Sequence, residues 1–155
     1  MTDIVDAATR SRMMRGIRGT NTFPEITVRR LLHGNGFRFR LHVRKLPGKP
    51  DIVLHRHSAV VLVHGCFWHG HDCPLFRMPG TRTEFWSTKI VRNRTNDARA
   101  IRALRQTGWR VAVVWECALK GKGMLKPDQL AARLVRWLGS RSPYLVVMGR
   151  NSHDR

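Results

Sequence analysis

Hydrophobic and polar positions recur in blocks along the chain, and the spacing within each block predicts a secondary-structure element. Apolar residues three to four positions apart predict helices, and short β-branched runs predict strands. Helices are expected from residue 22 to the glycines at 34 and 36, over 83–106 and over 127–138; strands are expected over 37–41, 51–54, 59–64 and 109–115. Residues 144–148 fit either a last short strand or a tail. Strands mixed with covering helices predict one α/β domain with a mixed central sheet.

Local signals set the boundaries of this domain. Thr22 can cap the first helix, with Glu25 at the position typical of a capping box. Residues 1–21 are polar and basic and are interpreted as an arm, residues 22–139 as the domain, and residues 140–155 as a tail to which no role is assigned. Residues 65–82 form a long irregular segment, and such segments are usually functional or clamped by a metal.

Charge narrows the class of partner. The 155 residues include 29 Lys and Arg against 10 Asp and Glu, a formal net charge of +19. Such a field attracts a polyanion, so nucleic acid is the favoured partner over a ribosomal or membrane-surface role. The sequence has no apolar run of the roughly 20 residues that a membrane span needs. Its N-terminus has no apolar core of a secretion signal, so a cytoplasmic protein is expected.

A cluster of thiols and imidazoles indicates a metal site. Cys66, His71 and Cys73 lie in the irregular segment, and Cys117 follows the strand that ends near residue 115. Thiolate and imidazole are the ligands that zinc prefers, and a structural site takes four. His64, His69 and Asp72 are competing ligands, and three buried free thiols are the plain alternative. A redox pair is less favoured because Cys66 and Cys73 are not spaced as CxxC.

A second cluster has the composition of a phosphodiesterase site. Asp51 opens one β run and His64 closes the next, so a hairpin is predicted to bring them opposite each other on one face. A carboxylate beside an imidazole can hold magnesium and act on a phosphodiester. His69 lies nearby, and Asp97 can orient a histidine. The alternative is that Asp51, after Pro50, is an ordinary turn residue.

Aromatic residues interleave with cations in two places. Phe67 and Trp68 lie between the thiols, and Phe85 and Trp86 open the long helix. Aromatics among cations can stack on bases or wedge between them, although core packing is the alternative. Phe85 is also a core candidate of its helix, with Ile90, Ile101 and Leu104, and the remaining tryptophans, Trp109, Trp115 and Trp137, are expected in the core.

Six stretches resemble, in order, the very short patch repair endonucleases. These bacterial enzymes nick the thymine strand at a T·G mismatch left by deamination of 5-methylcytosine. The matching stretches are Ala8–Ser11, Leu46–Asp51, His64–His69, Arg82–Trp86, Gly108–Val111 and Val114–Leu119. The resemblance runs from about residue 8 to about residue 138 and is far more specific than a short motif.

The resemblance implies a fold, an active site and two metals. The fold would be like that of type II restriction endonucleases, the PD-(D/E)XK class. Asp51 would bind magnesium together with the backbone carbonyl of Val63. His69 would be the general base with Asp97 as its partner, His64 would stabilise the phosphate, and Glu25 would support the site. The implied structural zinc ligands are Cys66, His71, Cys73 and Cys117.

It also implies how the protein meets DNA. The intercalating residues would be Phe67, Trp68 and Trp86 from one groove and Met14 from the other, with Arg82, Lys89 and Asn93 contacting phosphates and bases. The implied partner is duplex DNA with a T·G mismatch, followed by mismatch-repair proteins and a repair polymerase. A monomer is expected, acting at the nucleoid in the bacterial cytoplasm.

Two rival functions remain open at this point. A zinc-stabilised nucleic-acid-binding module would keep the charge, the aromatics and the thiols but would not need Asp51, His64 and His69 together. A catalytic zinc would need an open coordination position, and four available protein ligands argue against it.

Overall fold

A computed structural model describes residues 21–150 of the chain. Residues 1–20, which are all but the last residue of the predicted arm and include Met14, and residues 151–155 lie outside the described part. The elements in chain order are α1 (Phe23–Gly34), β1 (Arg40–Leu41), β2 (Ile52–Leu54), β3 (Ala59–His64), α2 (Thr83–Gln106), β4 (Arg110–Trp115), α3 (Pro127–Leu138) and β5 (Tyr144–Val147). The three predicted helices are confirmed, and residues 65–82 contain no helix or strand.

The first helix begins where its capping signal predicts. The Thr22 side chain accepts a hydrogen bond from the Glu25 backbone N–H at 3.4 Å. The Glu25 carboxylate reaches back to the N–H of Asn21, at 2.8 Å, rather than to that of Thr22. This contact holds Glu25 at the start of the helix, where only 1% of the residue is exposed.

The sheet has five strands in the order β1-β2-β3-β4-β5. The first three strands are antiparallel neighbours, whereas β3, β4 and β5 run parallel. Parallel neighbours need a crossover, and α2 and α3 provide the two crossovers. The carboxyl ends of β3 and β4 therefore lie side by side, with His64 in register with Trp115.

The pairing of β2 with β3 corrects one prediction. Ile52 pairs with Val61, so the position opposite Asp51 is that of Leu62 and not that of His64. The reason is the connection, in which one 3-10 turn ends at Ser58 in the left-handed conformation and β3 follows at once. Because side chains two positions apart share a face, His64 still lies on the same side of the sheet as Asp51.

Helices cover both faces of the sheet. On one face, α1 and α3 pack with Ile52, Val61 and Val114. On the other face, Leu104 of α2 packs with Leu62 and Val113. Successive side chains of β3 and β4 therefore pack into the core on one face and then on the other. This two-sided burial explains why these strands are largely apolar.

Two strands differ from the sequence prediction in extent. Only Arg40–Leu41 of the predicted strand over 37–41 pairs, whereas Phe37 and Phe39 pack against the core cluster formed with α1 and α3. Residues 144–147 adopt the strand of the two alternatives, so the sheet continues beyond residue 139. Within residues 21–150, the structure contains no helix long and apolar enough to cross a membrane.

Candidate active site and metal centre

Chemistry-bearing side chains converge where β3 and β4 end. His64 closes β3, and the loop that follows turns back so that the N–H of His69 donates to the carbonyl of Gly65. Three groups of potential metal ligands lie in this region of the described chain. They are Glu25 with His42 and Asp51, His64 with His69 and Asp97, and Cys66 with His71, Cys73 and Cys117; within each, the ligand atoms lie within 4.8 Å of one another.

Asp51 lies just before β2, against the main chain of β3. Its Oδ2 accepts a hydrogen bond from the N–H of Val63 at 2.7 Å. The pKa of the Asp51 carboxyl is raised from 3.8 to about 6, mainly by burial and to a smaller extent by the nearby Glu25 carboxylate, while the Val63 hydrogen bond acts in the opposite direction. A desolvated carboxylate of this kind is stabilised by a bound cation, so the donor set fits magnesium.

Both carboxylate oxygens of Glu25 have polar partners. One oxygen accepts from the Asn21 N–H, and the other accepts from Arg29 and faces Nε2 of His42. His42 adopts a left-handed backbone conformation with φ 49°, and its N–H donates to the carbonyl of Asp51. His42 therefore connects Glu25 to Asp51, and the Glu25 carboxylate lies close enough to Asp51 to raise its pKa.

Two histidines and one aspartate form the second group. Nδ1 of His69 pairs with Oδ2 of Asp97 on α2. The imidazole of His64 stacks on that of His69 with centroids 4.0 Å apart and planes within 5°. With Nδ1 protonated against Asp97, Nε2 of His69 is left as an acceptor, which is what a general base requires.

His64 is the most perturbed of these groups. The residue is only 7% exposed, and burial followed by the neighbouring His69 lowers its pKa to about 3. Its imidazole is therefore neutral near pH 7, and a neutral imidazole can still donate a hydrogen bond from one ring nitrogen. An arriving phosphate would favour the protonated form by its charge.

The third group is closed and rich in sulfur. Nδ1 of His71 lies 3.6 Å from the sulfur atoms of both Cys66 and Cys117. Backbone N–H groups donate to two of the sulfur atoms, from Cys117 to Cys66 at 3.3 Å and from Gly149 to Cys117 at 3.2 Å. N–H donors aimed at sulfur stabilise thiolates, the form that binds metal.

The thiols cannot all ionise without a cation. The hydrogen bond from Cys66 lowers the pKa of Cys117 to about 5. The same contact raises the pKa of Cys66, and burial raises that of Cys73. One negative charge is thus concentrated on Cys117, and a divalent cation would allow the other two thiols to ionise as well. The donor set, three sulfur atoms and one imidazole, fits a structural zinc.

Gly70 separates the two histidines that serve different groups. Its φ is +60°, and a Cβ added there would lie 2.6 Å from Cγ2 of Ile90 on α2. The loop consequently approaches α2 at a distance that only glycine allows. This approach turns His69 towards Asp97 and His71 towards the sulfur atoms.

The aromatic residues of the loop and of α2 form one cluster. Ring centroids lie 5.4 Å apart between Phe67 and Trp86 and 5.8 Å apart between Trp68 and Trp86. Phe85 packs against Trp86 but is 43% exposed, so the expectation that Phe85 belongs to the core is wrong. Phe85 lies on the exposed side of α2. Phe76 also belongs to the cluster, since its ring stacks beside that of Phe67 with centroids 6.1 Å apart.

The predicted DNA-contacting residues lie around this cluster. The guanidinium of Arg82 lies 4.3 Å from the ring centre of Phe85, and the ammonium of Lys89 lies 5.6 Å from that of Trp68. The amide of Asn93 donates to the carbonyl of Trp68 at 2.8 Å. Asn93 therefore fixes the loop that carries Trp68 in the protein without DNA.

Comparison with known proteins decides the family. The protein is 47% identical over 138 residues to DNA mismatch endonuclease Vsr of Escherichia coli (strain K12), a match that covers 89% of this chain and 88% of the relative. The chain belongs to the Vsr family. The family model, DNA mismatch endonuclease Vsr, matches residues 2–75.

Two further Vsr-like relatives are nicking enzymes by name. Type II nicking enzyme V.XorIIP of Xanthomonas oryzae pv. oryzae is 50% identical over 81% of this chain and 93% of its own length. Type II nicking enzyme V.NmeAIP of Neisseria meningitidis is 43% identical over 88% of this chain and 96% of its own length. As a member of the Vsr family, the protein is a DNA endonuclease, a hydrolase, of mismatch repair.

Sequence reasoning missed three residues of this Vsr site. Trp115, expected as core, stacks on His71 with centroids 4.1 Å apart and meets His64 edge-on at 5.1 Å. Glu116 accepts a hydrogen bond from the N–H of Cys66 at 3.2 Å. His42 pairs with Glu25. Trp115 and Glu116 adjoin Cys117 in sequence, which was the available signal, whereas His42 carried none.

Proposed function

We propose that this protein nicks the thymine-containing strand on the 5′ side of a T·G mismatch and so initiates very short patch repair. The observation that carries the proposal is the joint position of Asp51, His64 and the His69–Asp97 pair at one end of the sheet, with a separate closed thiol cluster beside them. The mixed sheet between helices agrees with a restriction-endonuclease-like core.

Asp51 and the backbone carbonyl of Val63 would hold magnesium. The Asp51 carboxylate is held against the main chain of Val63, and His69 lies near enough to affect the pKa of Asp51. A magnesium ion held by these two groups would supply positive charge to offset the charge of the reacting phosphate. Glu25 adds a fixed negative charge next to Asp51, which strengthens cation binding without requiring Glu25 to be a ligand.

The histidines would manage the proton and the phosphate. Asp97 holds His69 with Nε2 as the acceptor, so His69 takes the proton of the attacking water. His64, neutral in the free protein, donates a hydrogen bond to the phosphate and becomes a better donor as negative charge develops there. Stacking of the two rings at 4.0 Å keeps base and donor side by side.

The aromatic cluster would select the mismatch. Phe67, Trp68 and Trp86 pack on one another at the edge of the site, with the cations of Arg82 and Lys89 around them. Wedging aromatic rings into a duplex costs on the order of a few kcal/mol per step in unstacking. A T·G wobble pair stacks less well than a matched pair, so the cost is lower at the mismatch.

Zinc at the thiol cluster would be structural. Four protein donors leave no coordination position for a substrate, which argues against a catalytic zinc. The protein is expected to act as a monomer in the bacterial cytoplasm, on DNA at the nucleoid, and to hand its nicked product to mismatch-repair proteins and a repair polymerase.

A nicking assay tests the proposal directly. The zinc-loaded protein is incubated with magnesium and an end-labelled T·G duplex, beside a duplex that differs only in carrying T·A. The expected result is one cut in the thymine strand of the mismatched duplex only. Equal cutting of both duplexes would refute mismatch selection, and binding without any cutting would favour the rival DNA-binding module.

A further inference from the structure

A continuous stack of rings joins the zinc-ligand cluster to the active site. His71 stacks on Trp115 with planes 13° apart, and Trp115 meets His64 edge-on at 76°. His64 in turn stacks on His69, which pairs with Asp97. The indole of Trp115 is thus the single side chain within residues 21–150 that this structure places in ring contact with His64, His69 and His71 together.

His64 lacks a polar anchor in this arrangement. Its Nδ1 is buried without a hydrogen-bond partner among the described residues. Its Nε2 lies 3.9 Å from Asp97, longer than a hydrogen bond. Ring contacts with His69 and Trp115 are therefore what orients this imidazole in the described part of the chain.

Trp115 is itself held on three sides. It is the last residue of β4, in register with His64 of β3, so the sheet fixes its backbone. Its ring packs against the core cluster that includes Leu62 and Val113. His71, facing Cys66 and Cys117, covers the remaining side. Because packed interiors leave side chains little room to move, a ring held in this way can fix the orientation of the imidazole next to it.

We infer that Trp115 is a positioning residue for nicking: its indole, backed by His71, fixes the orientation of the His64 imidazole towards the phosphate. Misplacement of a catalytic group by about 1 Å can cost roughly a hundredfold in rate. The inference rests on the proposed function, because His64 matters to the rate only if the protein cuts DNA at this site. It also gives the zinc cluster a bearing on catalysis beyond stability.

Single-turnover nicking of the T·G duplex tests the inference. Trp115→Leu, which removes the ring, is expected to lower the rate constant by about a hundredfold, with one zinc per chain and an unchanged Kd for the duplex. Trp115→Phe, which restores a ring, should recover to within about fivefold of wild type. Trp109→Leu is the matched control: Trp109 packs on the same core cluster at the other end of β4 and should change the melting temperature but not the rate.

A double-mutant cycle separates positioning from general destabilisation. If Trp115 acts through His64, Trp115→Leu should cost little in a His64→Asn background, so the two losses are strongly non-additive. Additive losses, a weakened Kd, or failure of Phe to rescue would overturn the inference. Trp115→Met is a second ring-less variant; loss of folded, zinc-bound protein in both Leu and Met variants would assign a purely structural role and also overturn it.

A measurement without DNA distinguishes this inference from the proposed function. In spectra of protein with 15N-labelled histidine, Trp115→Leu should shift the ring signals of His64 and His69 and leave those of His55 in place. Trp109→Leu should do the reverse, because Trp109 meets His55 edge-on at 5.7 Å. Unmoved His64 signals would sink the positioning role even if wild type nicks, whereas shifted signals with no nicking would reject only the proposed function.

Discussion

The segment from His64, at the end of β3, to Cys73 contributes residues to two neighbouring clusters that differ in how well their polar atoms are hydrogen-bonded. Cys66, His71 and Cys73 turn inward to meet Cys117, where N–H donors already serve two of the sulfur atoms. His64 and His69 turn the other way, where His64 keeps a buried nitrogen without a partner in the described chain. In the first cluster, sulfur atoms accept hydrogen bonds from backbone N–H groups. In the second cluster, Nδ1 of His64 has no hydrogen-bond partner among the described residues.

The two clusters are therefore expected to differ in their effect on the free energy of unfolding: the first raises it and the second lowers it. Satisfied buried polar atoms support folding, whereas an unsatisfied one costs stability and persists at functional sites. Asp51 resembles His64 in this respect, because its raised pKa means that its ionised form destabilises the folded state. Changes in the two clusters should therefore move stability in opposite directions.

The largest effect should come from the thiol cluster. Cys117→Ser is expected to lose zinc and most of the stability of the domain, because apparent zinc-binding free energies at such sites reach about 10–16 kcal/mol and are folding free energy. Elemental analysis and thermal melting provide the measurements. Asp72→Asn, an exposed competitor between two of the ligands, should leave both unchanged. Active protein purified with no zinc would contradict the assignment.

A nearly as large effect should come from the Asp51 carboxylate, and here it should fall on the nicking rate. Asp51→Asn keeps an oxygen for the Val63 N–H and removes the charge that magnesium needs, so nicking should fall by at least about a thousandfold, several kcal/mol of transition-state stabilisation. Duplex affinity should persist. Asp128→Asn, an exposed acid in the first turn of α3, is the charge-matched control. Near-normal nicking by Asp51→Asn at saturating magnesium would reject the assignment.

The aromatic cluster should show an intermediate effect, confined to one duplex. Trp86→Ala should weaken binding to a T·G duplex by about 1–3 kcal/mol, since base stacking is worth about that much, and should weaken binding to matched DNA much less. Trp109→Ala should lower thermal stability instead. The measurement is a pair of titrations at one salt concentration; equal weakening of both duplexes would make Trp86 a core residue.

The smallest effect should be a gain in stability when the charge of Asp51, the proposed magnesium ligand, is removed. The folded-state pKa of Asp51 is raised to about 6, so in metal-free protein its ionisation destabilises the fold as pH rises from about 4 through 6. At pH 7, Asp51→Asn should therefore raise the free energy of unfolding by about 1–2 kcal/mol, allowing for solvent screening. The gain should vanish below pH 4, and a loss at pH 7 would contradict it.

Sequence patterns predicted the elements better than the contacts between them. The apolar runs gave β3 its observed bounds, and the 3.6-residue period gave α2 and α3 theirs, because both are properties of local spacing. The register of β2 on β3 depends on the geometry of one turn at Ser58, which the residue types there do not specify. The predicted pairing of Asp51 was consequently two positions out.

The candidate site was predictable where residue types that bind metals or transfer protons lie close together in the sequence. Cysteine, histidine and aspartate at close spacing pointed to the clusters around His71 and His69. Trp115 and His42 did not, because a tryptophan at a strand end normally means core packing, and a single histidine after a short strand carries no pattern. Their roles depend on contacts across the sheet, which spacing along the chain does not encode.

The hydrogen bond from the Gly149 N–H to Cys117 joins one of the last residues of the described chain to the thiol cluster. Chains emerge from the ribosome amino end first, and every residue of the proposed catalytic and zinc clusters precedes Gly149. A Cβ at Gly149 would lie 2.2 Å from the carbonyl oxygen of Cys117, so this contact needs glycine. A nascent chain therefore contains every proposed catalytic residue and zinc ligand before Gly149, the residue whose N–H donates to Cys117, has been synthesised.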